Sequence, residues 1–224
     1  MTLGPLPVVF ALVLSCLPQQ AEAPSPLSRV VSPFVCRDKT RLAALIRFGR
    51  ENDLCFGIEF SDERLRQKTV IQVPRTTVRE AVKAILAADK GDTLMISARN
   101  GVVLIRSRRS PSPDWLDHRL SRFRIHRMQL VLAGLNLAMA LESDLRPSVK
   151  GFAGDFPAGD PADEVGPLDI RGATIRELLC SIVGVSRKAD WIVTMGLLPE
   201  SGKSGSINPY WTLLYDSLRV SKSR

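Results

Sequence analysis

One tetrapeptide pattern, met twice, limits the folds open to this chain. Thr77-Val78-Arg79-Glu80 and Thr174-Ile175-Arg176-Glu177 both carry the Thr-x-x-Glu signature of a helix capping box. In such a box the threonine hydroxyl accepts from a free backbone N–H, and the glutamate carboxylate reaches back to the cap residue. Behind each box runs an apolar stripe at helical spacing. Val78, Ala81, Val82, Ile85 and Leu86 form the first, and Ile175, Leu178, Leu179, Ile182 and Val183 form the second at the same offsets. A cap contributes about 1 kcal/mol and sets where the helix begins. Burying each larger side chain contributes roughly 1.5–3 kcal/mol, so the stripe outweighs the cap several-fold. Each helix therefore needs an apolar surface to lie on.

Strands on either side supply it. Before the first box, Leu54, Phe56, Ile58 and Phe60 alternate with other residues and predict a strand with one buried face. A polar turn over 61–68 leads to a second strand over 69–73, ended by Pro74. After the box, strands over 94–97 and 102–105 flank Asn100-Gly101, a hairpin signal because both residues tolerate positive φ. Upstream, Asp38 is the candidate cap of a helix carrying Leu42, Leu45 and Ile46, preceded by an extended stretch over 34–36. The second half echoes this order. Phe123 and Ile125 match Phe34 and Cys36, and residues 130–141 predict the first helix. Strands are expected over 168–170, 191–194 and 210–215. The expected fold class is α+β, as two small tandem modules, each with two helices packed on short β-strands and its own interior.

Composition draws the boundaries. Residues 24–33 are rich in Pro and Ser and read as a tether, and residues 108–121 read as a linker opened by Arg108-Arg109-Ser110-Pro111-Ser112-Pro113. The modules then span 34–107 and 122–217, with a basic tail over 218–224. A Gly-, Pro- and Asp-rich insertion over 151–166 reads as a surface loop. Hydrophobic residues make up 45% of the chain, enough for a real core.

Residues 3–17 form an apolar run shorter than the roughly 20 residues a spanning helix needs, and residues 1–23 read as a signal peptide. Ala21-Glu22-Ala23 is the candidate cleavage site. Val13-Leu14-Ser15-Cys16 offers an alternative, a lipoprotein box in which Cys16 accepts the lipid, and a short helix packed on the domain is the third reading. Cleavage after Ala23 leaves 31 basic against 22 acidic residues, a net +9. Such a surplus suits nucleic acid, anionic lipid or an acidic protein. Much of it lies over 106–127, where Trp115 and Phe123 raise the possibility of base stacking. Export leaves Cys36, Cys55 and Cys180, of which one pair could be oxidised; the sequence does not choose which.

No motif specifies catalysis, a cofactor or a metal. Gly202-Lys203-Ser204 lacks the glycine that a phosphate loop needs at position 197, which is Leu197. His118 and His126 each lie beside an arginine, and a catalytic histidine needs an orienting acid and a nucleophile within reach. Asp155, Asp160, Asp163 and Glu164 do not follow calcium-loop spacing.

With these residues in hand, the first module resembles the short N-terminal domain of secretins and TonB-dependent transducer receptors. The resemblance covers residues 34–107. It rests on the Leu42-x-x-Leu45 helix, the strand over 54–60, and the strand-helix-strand unit over 69–105 closing on Asn100-Gly101-Val102-Val103-Leu104-Ile105. It implies two helices packed by small sheets, a periplasmic location and non-catalytic docking of an envelope protein. Members continue into a membrane barrel or ring-forming domains that these 224 residues do not include, so the expectation is docking without transport or secretion. The alternative expectation is a basic binder of nucleic acid or anionic lipid surfaces.

Overall fold

The computed structural model describes residues 25–59, 63–87, 94–108, 114–145, 164–186, 189–197 and 207–215. The first half begins with a 3-10 turn (Pro26–Ser28). It continues through β1 (Val30–Val31), β2 (Phe34–Thr40), α1 (Arg41–Glu51), β3 (Cys55–Ile58) and the one-turn α2 (Glu63–Arg66). Next come β4 (Lys68–Val73), β5 (Thr76–Thr77), α3 (Val78–Ile85) and the hairpin β6 (Leu94–Arg99) and β7 (Val102–Ser107). The second half begins with a 3-10 turn (Asp114–Asp117), followed by β8 (Arg119–Ile125), β9 (Met128–Gln129) and α4 (Leu130–Leu145). It ends with β10 (Glu164–Val165), β11 (Leu168–Thr174), α5 (Ile175–Ser186), β12 (Ala189–Leu197) and β13 (Ile207–Tyr215). The fold is mixed α+β, with four helices of two turns or more and several small sheets. Among the described residues no helix is long and apolar enough to cross a membrane.

Local chemistry explains the helix starts, with two corrections to the sequence reading. Asp38 lies within β2, and Thr40 is the cap of α1, its hydroxyl accepting from the Ala43 N–H at 3.2 Å. The first capping box is half made. Thr77 accepts from the Glu80 N–H at 3.3 Å, but the Glu80 carboxylate turns to Lys83 at 2.9 Å, one turn along the exposed face. The second box is complete. Thr174 accepts from the Glu177 N–H at 3.2 Å and donates its own N–H to the Glu177 carboxylate at 2.7 Å. The hairpin between β6 and β7 turns on Asn100 and Gly101 at φ of 49° and 77°, as their tolerance of positive φ requires.

The strands form two antiparallel ribbons and one larger sheet. In the first ribbon, β2 pairs with β4 and β1 with β5, placing Val30 opposite Thr77, Phe34 opposite Val73 and Val35 opposite Gln72. In the second, β8 pairs with β11 and β9 with β10, placing Arg119 opposite Thr174, Phe123 opposite Ile170 and Arg124 opposite Asp169. The larger sheet has the order β13-β12-β3-β7-β6, with β3 parallel to both its neighbours.

That sheet has a core on each face. Phe56, Ile58, Val103 and Ile105 join Leu45 and Phe48 of α1, Val78 and Val82 of α3, and Phe34 and Ile71 of the first ribbon. Cys55, Val102 and Leu104 face the other way, into a cluster with Leu137 of α4, Leu178 and Ile182 of α5, Phe123 of the second ribbon, and Trp191. This corrects the expected one-sided strand: all four residues of β3 are buried, as are Val102, Val103, Leu104 and Ile105. Strands covered on both faces read as unbroken apolar runs rather than alternations. It also alters the expectation of separate interiors, since the second core draws three side chains from the first half.

Candidate functional site

The polar chemistry concentrates where the halves meet. β12 lies beside β3 over Trp191 and Gly57, and over Ile192 and Ile58. A side chain at position 57 would stand 2.5 Å from the Trp191 ring and 2.7 Å from Leu104, so only glycine admits the indole there. One residue earlier, the fully buried Asp190 accepts the Phe56 N–H through Oδ1 at 2.7 Å. A carboxylate thus satisfies a donor at the start of β3 that the two-residue ladder does not reach.

Beside this seam lies an arginine held by two acids. Arg176, the third residue of the second capping box, donates Nε to Glu59 Oε1 at 2.7 Å and pairs through its Nη atoms with Asp117. Arg106 approaches the second Glu59 oxygen at 3.2 Å. The Glu59 side chain is fully buried and that of Arg176 is 6% exposed, whereas that of Asp117 is 67% exposed. Burial alone would favour the neutral guanidine, but the hydrogen bonds that it donates to Glu59 and Asp117 outweigh this and hold Arg176 charged. The same bond from Arg176 holds the Asp117 carboxyl below its usual range against the opposing effect of burial. Arg79, at the matching position of the first box, instead donates to the Ile96 carbonyl at 2.8 Å. Around the arginine, Arg99 pairs with Glu177, Asn100 donates to the Ser181 hydroxyl at 3.0 Å, and a side chain at Gly184 would strike the Asn100 carbonyl. The whole cluster locks the β6–β7 turn against α5.

The sequence candidates are dispersed. His118 turns from its neighbour Asp117 to Asp144 on α4, Nε2 to Oδ2 at 2.7 Å. Its backbone carbonyl accepts the Ile175 N–H at 3.0 Å, capping α5 as the Arg29 carbonyl caps α3 through Val78 at 2.9 Å. Trp115 and Phe123 are buried, so neither offers a face for stacking. Cys36, Cys55 and Cys180 are buried, and no two of them form a disulfide. Burial pushes the Cys180 thiol up to about 12, which leaves no thiolate at neutral pH to act as a nucleophile. Glu164 pairs with Arg127 in the second ribbon. Residues 1–24 with Cys16, residues 155–163, residues 202–204 and the basic tail over 218–224 lie outside the described residues. Among the described residues no group of three or more His, Cys, Asp and Glu could hold a metal ion.

Several surfaces are unpartnered among the described residues, and three of them bear on function. β13 closes one edge of the five-stranded sheet. Leu132, Leu135 and Met139 are 43–60% exposed on the outer side of α4. Arg119, Arg122, Arg124 and Arg171 share the outer face of the β8–β11 ribbon. Sequence reasoning found the arginines of β8 only as part of the basic stretch over 106–127 and missed Arg171, which only the ladder brings beside them. It also missed Arg176, although the shared arginine of the two boxes was the available signal. Comparison of the chain with protein-family models, with curated proteins and with solved structures found no match.

Proposed function

We propose that the chain is a non-catalytic docking protein of the bacterial envelope. In this reading residues 34–107 are a short N-terminal domain of the secretin and TonB-dependent transducer kind, and residues 122–217 repeat it. Support for the first part is an element order of two helices held between a two-stranded ribbon and a further sheet. Support for the repeat is register. Val30, Phe34 and Val35 meet Thr77, Val73 and Gln72, and Arg119, Phe123 and Arg124 meet Thr174, Ile170 and Asp169 at the same distances from the capping threonine.

The observation that carries docking is the edge at β13. This strand follows β12 as β7 follows β6, and β7 carries β3 on its outer side, whereas β13 has no such neighbour among the described residues. Its nine residues, Ile207–Tyr215, contain no charge. Exposed edges normally carry lysine, proline at their centre or a bulge to prevent pairing. Here the only such device is Pro209 near one end. An extended segment of a partner protein fits this slot by strand addition, with backbone hydrogen bonds giving affinity.

The test is a photo-cross-linking residue at Thr212 in the full chain within its native envelope, with Met95 on the opposite edge as control. A discrete adduct from Thr212 alone, mapping to an extended peptide of another protein, is expected. Equal adducts from both edges, or none from Thr212, would remove the edge reading. Binding to nucleic acid or anionic vesicles that collapses with salt, without an adduct, would favour the basic-surface alternative.

A further inference from the structure

The outer face of the β8–β11 ribbon is made of arginine. Arg119, Arg122 and Arg124 on β8 and Arg171 on β11 are exposed, and Asp169 is the acid among them. The ladder sets Arg122 directly opposite Arg171, an arrangement that destabilises a sheet. Asp169 relieves it in part by binding Arg122 diagonally with both oxygens, Nε to Oδ1 at 2.7 Å. Arg119 donates to the Gly172 carbonyl at 2.6 Å. Three guanidinium groups, those of Arg122, Arg124 and Arg171, therefore share one carboxylate, and Arg119 at the ribbon's other end also feels Asp117 and Glu177. Between Arg119 and the Arg122–Arg171 pair the floor is Ser121 and Gly172. Gly172 has φ of 60°, and a Cβ there would meet nothing within 4 Å, so the space above it is open.

The ribbon does not need this charge to form. On the first ribbon, the rung opposite the capping threonine carries Val30 where the second has Arg119. The rung matching Arg124 and Asp169 carries Val35 and Gln72. Valine suits a strand at least as well as arginine, so folding gives no reason for the substitution.

What the face offers and lacks narrows the ligand. The planar fork of arginine matches carboxylate or phosphate. No exposed aromatic residue stands on β8 or β11 to stack a base, since Phe123 is buried. None of the exposed large hydrophobic residues lies on these strands, so nothing there inserts into a bilayer. The side-chain partners taken here are carboxylates, Asp169 for Arg122 and, just beyond β8, Glu164 for Arg127.

We propose that this face docks a carboxylate-rich segment of a partner protein, laid over the Ser121 and Gly172 floor between Arg119, Arg124 and Arg171. The proposal rests on the docking reading and names the partner's chemistry at a second surface. The test is fluorescence anisotropy of a short fluorescein-labelled oligoglutamate peptide with the full chain. Arg124→Gln combined with Arg171→Gln is compared with Arg66→Gln combined with Lys68→Gln, which removes the same charge from exposed positions elsewhere. All four side chains are exposed, and unchanged urea midpoints establish that both variants are folded.

The ribbon variant is expected to bind about tenfold more weakly and the control less than about twofold. Equal losses would reduce the effect to net charge and overturn the proposal. So would tighter binding of the unaltered chain to phosphatidylglycerol vesicles or to a single-stranded oligonucleotide than to the peptide. Failure with the peptide while the Thr212 adduct persists removes this face and leaves docking in place. Loss of that adduct with peptide binding intact does the reverse.

Discussion

Replacing Arg176 with methionine removes one of the two arginines that contact the fully buried carboxylate of Glu59 among the described residues. Breaking a buried ion pair from one side costs about 3–5 kcal/mol, because the remaining charge stays desolvated. Arg106 remains at 3.2 Å with its side chain 30% exposed, and Asp117, at 67% exposure, returns to water. The expected loss is therefore about 2–4 kcal/mol, a large part of a typical total of about 5–15 kcal/mol. Glu59→Met should cost less, because Arg176 keeps the solvated Asp117 as its partner. The double variant, with two apolar side chains of suitable length, should recover most of the loss, giving a coupling of at least about 2 kcal/mol in the cycle. Urea unfolding followed by tryptophan emission and far-ultraviolet circular dichroism reads all four corners. Trp115 and Trp191 report the second core, and circular dichroism reports the whole chain. Coincident midpoints are expected, since α5 and the end of β3 are joined by this pair. A loss under about 1 kcal/mol for Arg176→Met, or a double variant as unstable as the sum of the singles, would refute the reasoning.

Two further outcomes follow from the same seam. Gly57→Ala places a methyl group 2.5 Å from the buried Trp191 ring and should destabilise by about 1–3 kcal/mol, with shifted tryptophan emission; unchanged stability would mean that β12 does not lie on β3. The Glu177 carboxyl is held below its usual range, chiefly by the Thr174 N–H and also by Arg99, so its contribution is complete above the unfolded value of about 4.3 and is lost as pH falls through the lower folded value. The stability advantage of the unaltered chain over Glu177→Gln should hold from pH 7 to about pH 5 and shrink in stronger acid, and a gap that widened on acidification would contradict the assignment.

What could be read from the sequence was local. A capping threonine and the stripe behind it act within two turns, so α3 and α5 start where Thr77 and Thr174 place them. The Asn100-Gly101 turn is equally self-contained. Glu80 shows the limit, because a lysine one turn on competes for its carboxylate and spacing cannot rank the two. The two 3-10 turns were hidden by composition. Pro26–Ser28 and Asp114–Asp117 sit in stretches that read as tether and linker, although Leu27, Trp115 and Leu116 are buried. An apolar pair amid charge was the available clue in the second case. Glu59 and Arg176 are 117 residues apart, and no periodicity connects them. The two-sided burial of β7 was written in Val102-Val103-Leu104-Ile105, four apolar residues in a row where a half-buried strand would alternate.

That run bears on which edge is left for a partner. A sheet built from β3, β7 and β6 alone would end at β3, and one of its faces would leave Cys55, Val102 and Leu104 in water. Restoring three such side chains to a core stabilises by several kcal/mol at about 1.5–3 kcal/mol for each larger one, which favours closing the second half over that face. Closure then uses the β3 edge as well, because Gly57 admits Trp191 and Asp190 takes the Phe56 N–H. At the far side, the Pro26–Ser28 turn packs near β6. The residues that weld the halves thereby cover the β3 edge of the first half and leave β13, uncharged over nine residues, as the edge at which the proposed partner strand would add.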